Sequence, residues 1–258
     1  MRDDQDEADS SLNATQKICA VLRALADHAP APLRDVAVAA GLNKVTAFRI
    51  LRTLTAEGFA RRPAGTQLYD LGSEIAVLAT ALSRRVSLRT AASSSLIKLA
   101  SQSGDTAVLS IRVGNEAVCI ERQTGDFPIQ SNYLHPGTRR PLGIGAGAMA
   151  ILASLSNGDC DRLLESLPDK LADFPNLTIT SVHEQLRLAR QCGHALLVDQ
   201  IVERMGGIAV AILSSAGEPL GSFSILALSE RISTRSELLA GYLQNAARDT
   251  ERILALNV

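Results

Sequence analysis

The sequence predicts an α+β protein in two parts, a winged helix-turn-helix near the N-terminus and a larger region of helices on a mostly antiparallel sheet. Three observations carry this. Two short amphipathic segments meet at a glycine between residues 33 and 56, the pattern of two helices joined by a tight turn. From Thr106 the apolar spacing changes from steps of three and four to alternation, which marks strands. Those strands come as hairpin pairs followed by a closing helix, an order that belongs to α+β rather than to a doubly wound parallel sheet.

At 258 residues the chain exceeds one average domain and has apolar residues enough for two cores. Its 26 basic and 27 acidic residues exclude a protein that coats nucleic acid along its whole length, while a local patch stays open. Residues 1–12 are predicted as a disordered acidic tail, because five acids fall in the first ten positions with almost no apolar mass to repay ordering. An acidic start lacks the basic and apolar segments of a signal peptide, and no apolar run approaches the roughly 18 residues that span a bilayer. Cysteines 19, 119, 160 and 192 contain no C-x-x-C pair, which fits a reducing cytoplasm better than a disulfide framework. A soluble cytoplasmic protein without membrane contact is expected.

Residues 13–72 are predicted as the helix-turn-helix with its wing. Ile18, Val21, Leu22 and Leu25 recur at helical spacing before Pro30 and Pro32 end the first helix. Leu33, Val36, Ala37 and Ala40 line a short second helix that Gly41 closes. Asn43 is placed to cap a third helix whose buried stripe is Ala47, Ile50, Leu51 and Leu54. With that stripe inward, Lys44, Val45, Thr46, Phe48, Arg49, Arg52 and Thr53 point outward. Between Leu33 and Gln67 six cations (34, 44, 49, 52, 61 and 62) accompany two acids (35 and 57), a local excess of four. Cations on such a face neutralise phosphates, and Asn43, Thr46, Thr53 and the arginines have groups that bond base edges. Past Gly58, apolar residues at 59, 68 and 71 flank Pro63-Ala64-Gly65-Thr66, a hairpin wing whose Arg61 and Arg62 lie against the DNA backbone. Double-stranded operator DNA is the expected partner.

A linker helix is expected over 73–90, within a helical stretch from Ser73 to about Ser103 that breaks near Val86. Beyond it, "TAVLSIRV", Gly114-Asn115 and "EAVCIERQ" read as a hairpin. "PIQSNYL" is predicted as a further strand. Small residues at 143–147 precede a helix to about Leu155, so a ligand could reach backbone N–H groups there, although close helix packing would explain the same residues. Ser181 and Glu184 are expected to cap a helix ending at Gly193. Three strands follow, with a turn at Ala216-Gly217, and Thr234 and Glu237 are expected to cap the closing helix.

The stretch "LRDVAVAAGLNKVTAFRILRTLTAEGFARR", with "TQLYDLG" after it, resembles the N-terminal domain of the IclR family of transcription regulators. That resemblance carries DNA contact onto Lys44, Thr46 and Arg49; Val45 and Phe48 stand where the family often has Ser and Tyr. It implies dimers or dimers of dimers. It also implies that residues 91–258 form a GAF-like domain for effector binding and oligomerisation, whose pocket would use Leu142, Gly145, Ala146, Gly147, Asp199, Gly207, Ser224 and Leu226. Leu226, Met149 and Gln200 replace a frequent Ser, Lys and acidic residue, implying a less polar pocket and a larger, partly apolar carboxylate effector, aromatic in kind.

No enzyme is expected: the sequence lacks a G-x-S-x-G elbow, a phosphate-binding Walker loop and an H-E-x-x-H pair. No cofactor and no metal are expected either, since Cys192 and His194 lack an evident third ligand. Cys119 reads as a small core residue rather than a nucleophile. The competing reading is a soluble small-molecule enzyme or sensor with an incidental helical N-terminus, which would bind DNA little at any salt concentration.

Overall fold

The computed structural model describes residues 12–82 and 88–256. The chain divides into two compact units, residues 1–85 and 86–258. The predicted tail and the predicted break near Val86 fall mainly outside the described residues.

In the first unit, α1 (Ala14–His28) starts with a reciprocal cap. The Asn13 side chain accepts the Gln16 N–H at 2.9 Å, and the Gln16 side chain accepts the Asn13 N–H at 2.9 Å, satisfying two amides that a helix start leaves over. Val21, Ala24 and Leu25 form the buried stripe; Ile18 instead stands beside an open groove with Ile50 and Thr53. Strand β1 (Ala31–Pro32) precedes α2 (Leu33–Ala39), which buries Val36 and Ala37. Gly41 adopts φ 65°, a left-handed turn that costs glycine little. It lets Leu42 drop into the core while its N–H donates to the Ala37 carbonyl. Helix α3 (Lys44–Ala56) then begins at Asn43, whose side chain accepts the Thr46 N–H at 2.9 Å. Strands β2 (Ala60–Arg61) and β3 (Leu68–Leu71) form the wing. β1 adds to it in the order β1-β3-β2, a strand sequence reading missed because it is two residues long and contains a proline. Helix α4 (Ser73–Leu82) follows.

The second unit opens with α5 (Leu88–Ser103). Its sheet comprises β4 (Thr106–Val113), β5 (Glu116–Gln123), β6 (Arg139–Pro141), β7 (Ala195–Val198), β8 (Met205–Leu213) and β9 (Pro219–Leu228). The order is β6-β5-β4-β9-β8-β7 and every pairing is antiparallel. Alternation along the strands divides the side chains between two cores. Ala107, Leu109, Ile208, Phe223 and Ile225 pack with α5 and the closing helix α10 (Ser236–Ala255). The opposite face meets α6 (Ala146–Ala153), with α7 (Asn157–Glu165) and α8 (Ile179–Cys192) in the same core.

Three local expectations are corrected. Residues 128–134 form no strand; side chains hold them down instead, with the Gln130 amide donating to the Gly104 carbonyl at 3.1 Å and accepting the Thr106 hydroxyl at 2.8 Å. The ladder position beside β5 belongs to β6. Helix α8 is capped by Thr178, with Ser181 as its reciprocal partner, so the true capping pair lies three residues earlier. Thr234 ends the short helix α9 (Ser229–Thr234), its hydroxyl bonded back to the Glu230 carbonyl at 2.8 Å, and no side chain caps α10. The start of α10 is tied down by Asp105, only 1% exposed, which accepts from Arg231 at 2.9 Å and Arg235 at 3.0 Å. Among the described residues no helix is long and apolar enough to cross a membrane.

Candidate nucleic-acid interface and effector cavity

Burial of Ala47, Leu51 and Leu54 fixes which way α3 faces. Lys44, Val45, Phe48, Arg49, Arg52 and Thr53 are exposed, and Thr46 is half-buried behind the Asn43 cap. No carboxylate among the described residues pairs with Lys44, Arg49 or Arg52. The wing cations differ. Arg61 is bonded to Asp70 at 2.5 Å, and its hydrogen bond holds the Asp70 carboxyl below the usual carboxylate range. Arg62 reaches Gln67 and the Thr66 carbonyl and lies 5.5 Å from the Tyr69 ring centre. Among the described residues charge on α3 is thus uncommitted, while charge on the wing is held in place.

A narrow cavity lies between the sheet and the start of α6. Gly145, Ala146, Gly147, Gly207, Ser224 and Leu226 line it. Leu142 and Asp199 do not. Leu142 is buried in the core with α6 and α8, and Asp199, at φ 58°, is exposed and accepts the Ser229 hydroxyl at 2.6 Å. Gly147 permits a close approach: a β-carbon there would stand 3.0 Å from the Ser222 hydroxyl and 3.6 Å from that of Ser224. No side chain caps the N-terminus of α6 at Gly145, and an uncapped first turn favours negative charge.

Sequence reasoning missed the polar residues opposite this turn. Tyr133 and Arg140 both line the cavity. Arg139 points the other way along β6 and pairs with Glu116 at 2.7 Å, so strand alternation, once β6 is located, identifies Arg140 as its inward neighbour. No carboxylate pairs with Arg140 among the described residues; its guanidinium lies 5.2 Å from the Phe174 ring centre. Burial lowers the Arg140 pKa but leaves a guanidinium charged. Burial also pushes the Tyr133 phenol up to about 12, so it is a neutral donor. The Cys119 thiol, in the same lining, is pushed up to about 11 by burial, unlike the depressed thiol of a nucleophile. The Gln200 carbonyl oxygen and the buried Ser222 hydroxyl have no hydrogen-bond partner among the described residues. Those residues contain no cluster of three or more metal-ligating side chains; His194 meets only the Cys192 carbonyl, at 3.2 Å.

A winged helix whose exposed cations meet no carboxylate among the described residues and an α/β unit with a polar-floored cavity define a ligand-controlled DNA-binding protein as a class. The chain belongs to the IclR family of bacterial transcriptional regulators: the IclR helix-turn-helix profile matches residues 14–64 and the IclR C-terminal profile residues 80–252. It is 29% identical over 255 residues to the glycerol operon regulatory protein of Streptomyces coelicolor, covering 95% of this chain and 97% of that one. It is 27% identical over 247 residues to the HTH-type regulator BhcR of Paracoccus denitrificans, covering 94% and 88%. The fold is shared with an IclR-type regulator from Silicibacter sp. (TM-score 0.81, 19% identity, 94% and 96% covered). It is also shared with an IclR homologue from Microbacterium hydrocarbonoxydans in complex with 4-hydroxybenzoate (TM-score 0.78, 20% identity, 95% and 100% covered).

Proposed function

We propose that this regulator binds duplex operator DNA through α3, with Asn43 and Thr46 at its start and Arg61 and Arg62 on the wing, and that an organic carboxylate in the cavity controls that binding. The carrying observation is the outward face of α3, where Lys44, Arg49 and Arg52 are exposed without a carboxylate partner among the described residues. Phosphate contacts by these groups release counterions, so log affinity falls by about 0.9 per log unit of salt for each phosphate neutralised. A mobility-shift titration of the promoter fragment upstream of its own gene, at several salt concentrations, tests this. A multi-phosphate slope supports the reading. Retardation no greater than that by albumin sinks it and favours the enzyme or sensor alternative.

The effector reading rests on Arg140, Tyr133 and the first turn of α6 together: a guanidinium, a neutral phenol and oriented amides suit a carboxylate on an apolar body. The 4-hydroxybenzoate held by a homologue of the same fold supports an aromatic acid. A thermal-shift screen with benzoate, 4-hydroxybenzoate and short keto acids should find stabilisation that Arg140→Gln weakens.

In this proposal the protein works in the cytoplasm as a dimer or dimer of dimers, with residues 13–72 on DNA, 73–90 as the connecting helix and 91–258 binding effector. Val77 and Leu78 expose apolar surface on α4 that a second copy would cover. The effector acts by binding one arrangement of the assembly more tightly than another.

A further inference from the structure

We propose that Val45 and Phe48 read thymine, each covering a thymine 5-methyl group in the major groove of the operator. This rests on the reading above that α3 enters that groove. Val45 is 71% exposed and Phe48 44% exposed, and neither belongs to the core of its unit, which takes Ala47, Leu51 and Leu54 from the same helix. Their spacing of three puts them side by side on the helix surface, and Arg49 and Arg52 extend the same row at four and seven residues from Val45.

The chemistry of that row selects its occupant. An apolar protein surface laid over Val45 and Phe48 would also cover Lys44, Arg49 and Arg52, whose charges have no carboxylate partner among the described residues. A duplex answers both kinds of group, with phosphates for the cations and apolar methyl groups for the two hydrocarbons. In the major groove only thymine presents such a methyl; the other base edges there present donors and acceptors. Valine and phenylalanine side chains have no hydrogen-bonding atom. Against the cytosine amino group or the guanine O6 and N7 they would strip water and return nothing, which penalises those bases.

The test uses the full-length protein to select duplexes from a random pool. The selected site is then remade with single thymine-to-uracil replacements, which delete the methyl and leave the hydrogen-bonding edge unchanged. Two positions, repeated wherever the site is symmetric, are expected to lose about three- to fivefold in affinity with uracil, the worth of one buried methyl. Val45→Ser should abolish the preference at one position and Phe48→Ser at the other, in proteins whose circular dichroism and melting match the parent. Equal affinity for thymine and uracil throughout a selected site overturns the inference alone, as does a methyl preference that survives both substitutions. Self-association lost in both variants without any methyl preference assigns the pair to a contact between copies instead. Failure to enrich any duplex overturns this inference and the DNA-binding reading together.

Discussion

The outward face of α3 and the cavity beside α6 handle polar groups in opposite ways. On α3, Lys44, Arg49 and Arg52 stand in water while Ala47, Leu51 and Leu54 beneath them do the packing. In the cavity, Tyr133, Arg140 and the serines at the floor are withdrawn among apolar neighbours, so the groups that could bind also belong to the packing. The difference separates recognition from stability on the helix and couples them in the cavity.

The strongest attack on that separation is Leu51→Ala. Leu51 is 0% exposed, and truncation should cost about 2–5 kcal/mol, lowering the midpoint of denaturant unfolding of the first unit and removing DNA binding with it. A protein that kept its midpoint would show that the buried stripe is not what supports the recognition face. Next comes Gly147→Val. Its β-carbon would meet Ser222 at 3.0 Å, so overpacking of roughly 1–3 kcal/mol should accompany loss of any carboxylate-induced thermal shift. Stability lost while the shift persists would uncouple the two roles there.

Arg49→Ala sharpens the comparison from the other side. Unfolding should change by no more than about 0.5 kcal/mol, while operator affinity falls and the salt slope shrinks by about 0.9. Unchanged affinity in the folded variant would remove Arg49 from the interface. The smallest effect concerns the wing. Because Arg61 depresses the Asp70 carboxyl, the pair stabilises the wing above the ordinary carboxylate range, and that contribution disappears as pH falls through the depressed value. Protection of the β2 and β3 amides, taken relative to the intrinsic exchange rate at each pH, should fall on acidification, weakly because the pair is exposed, and Asp70→Asn should remove the dependence.

The helix-turn-helix was legible because its signals are local. Gly41, the Asn43 cap and the stripe from Ala47 to Leu54 fall within fourteen consecutive residues. Ile18 was misread because a periodic pattern does not say which edge of a stripe a neighbouring helix covers. The cavity is harder, since it draws on strands, a helix start and the irregular stretch around Tyr133. Small residues at 145–147 hinted at it, but Tyr133 was assigned to a strand that does not form, and adjacent arginines at 139 and 140 do not by themselves say which one faces inward. Leu142 and Asp199, which the family resemblance implied as lining, show the converse: a matching position in a motif does not decide which way a side chain turns. The capping errors at Ser181 and Thr234 arose because hydroxyl residues bond backbone at several helix positions, Ser181 from within the first turn of α8 and Thr234 from the last turn of α9.

The second unit leaves its sheet open, and its two outer strands are the shortest in it: three residues in β6, one of them Pro141, and four in β7. A neighbouring chain seeking to extend the ladder would find on either flank too few consecutive amides and carbonyls to hold it. An added strand would instead have to pair beyond them, on β5 past Cys119 or on β8 past Ala209, where the outer strands no longer cover the ladder.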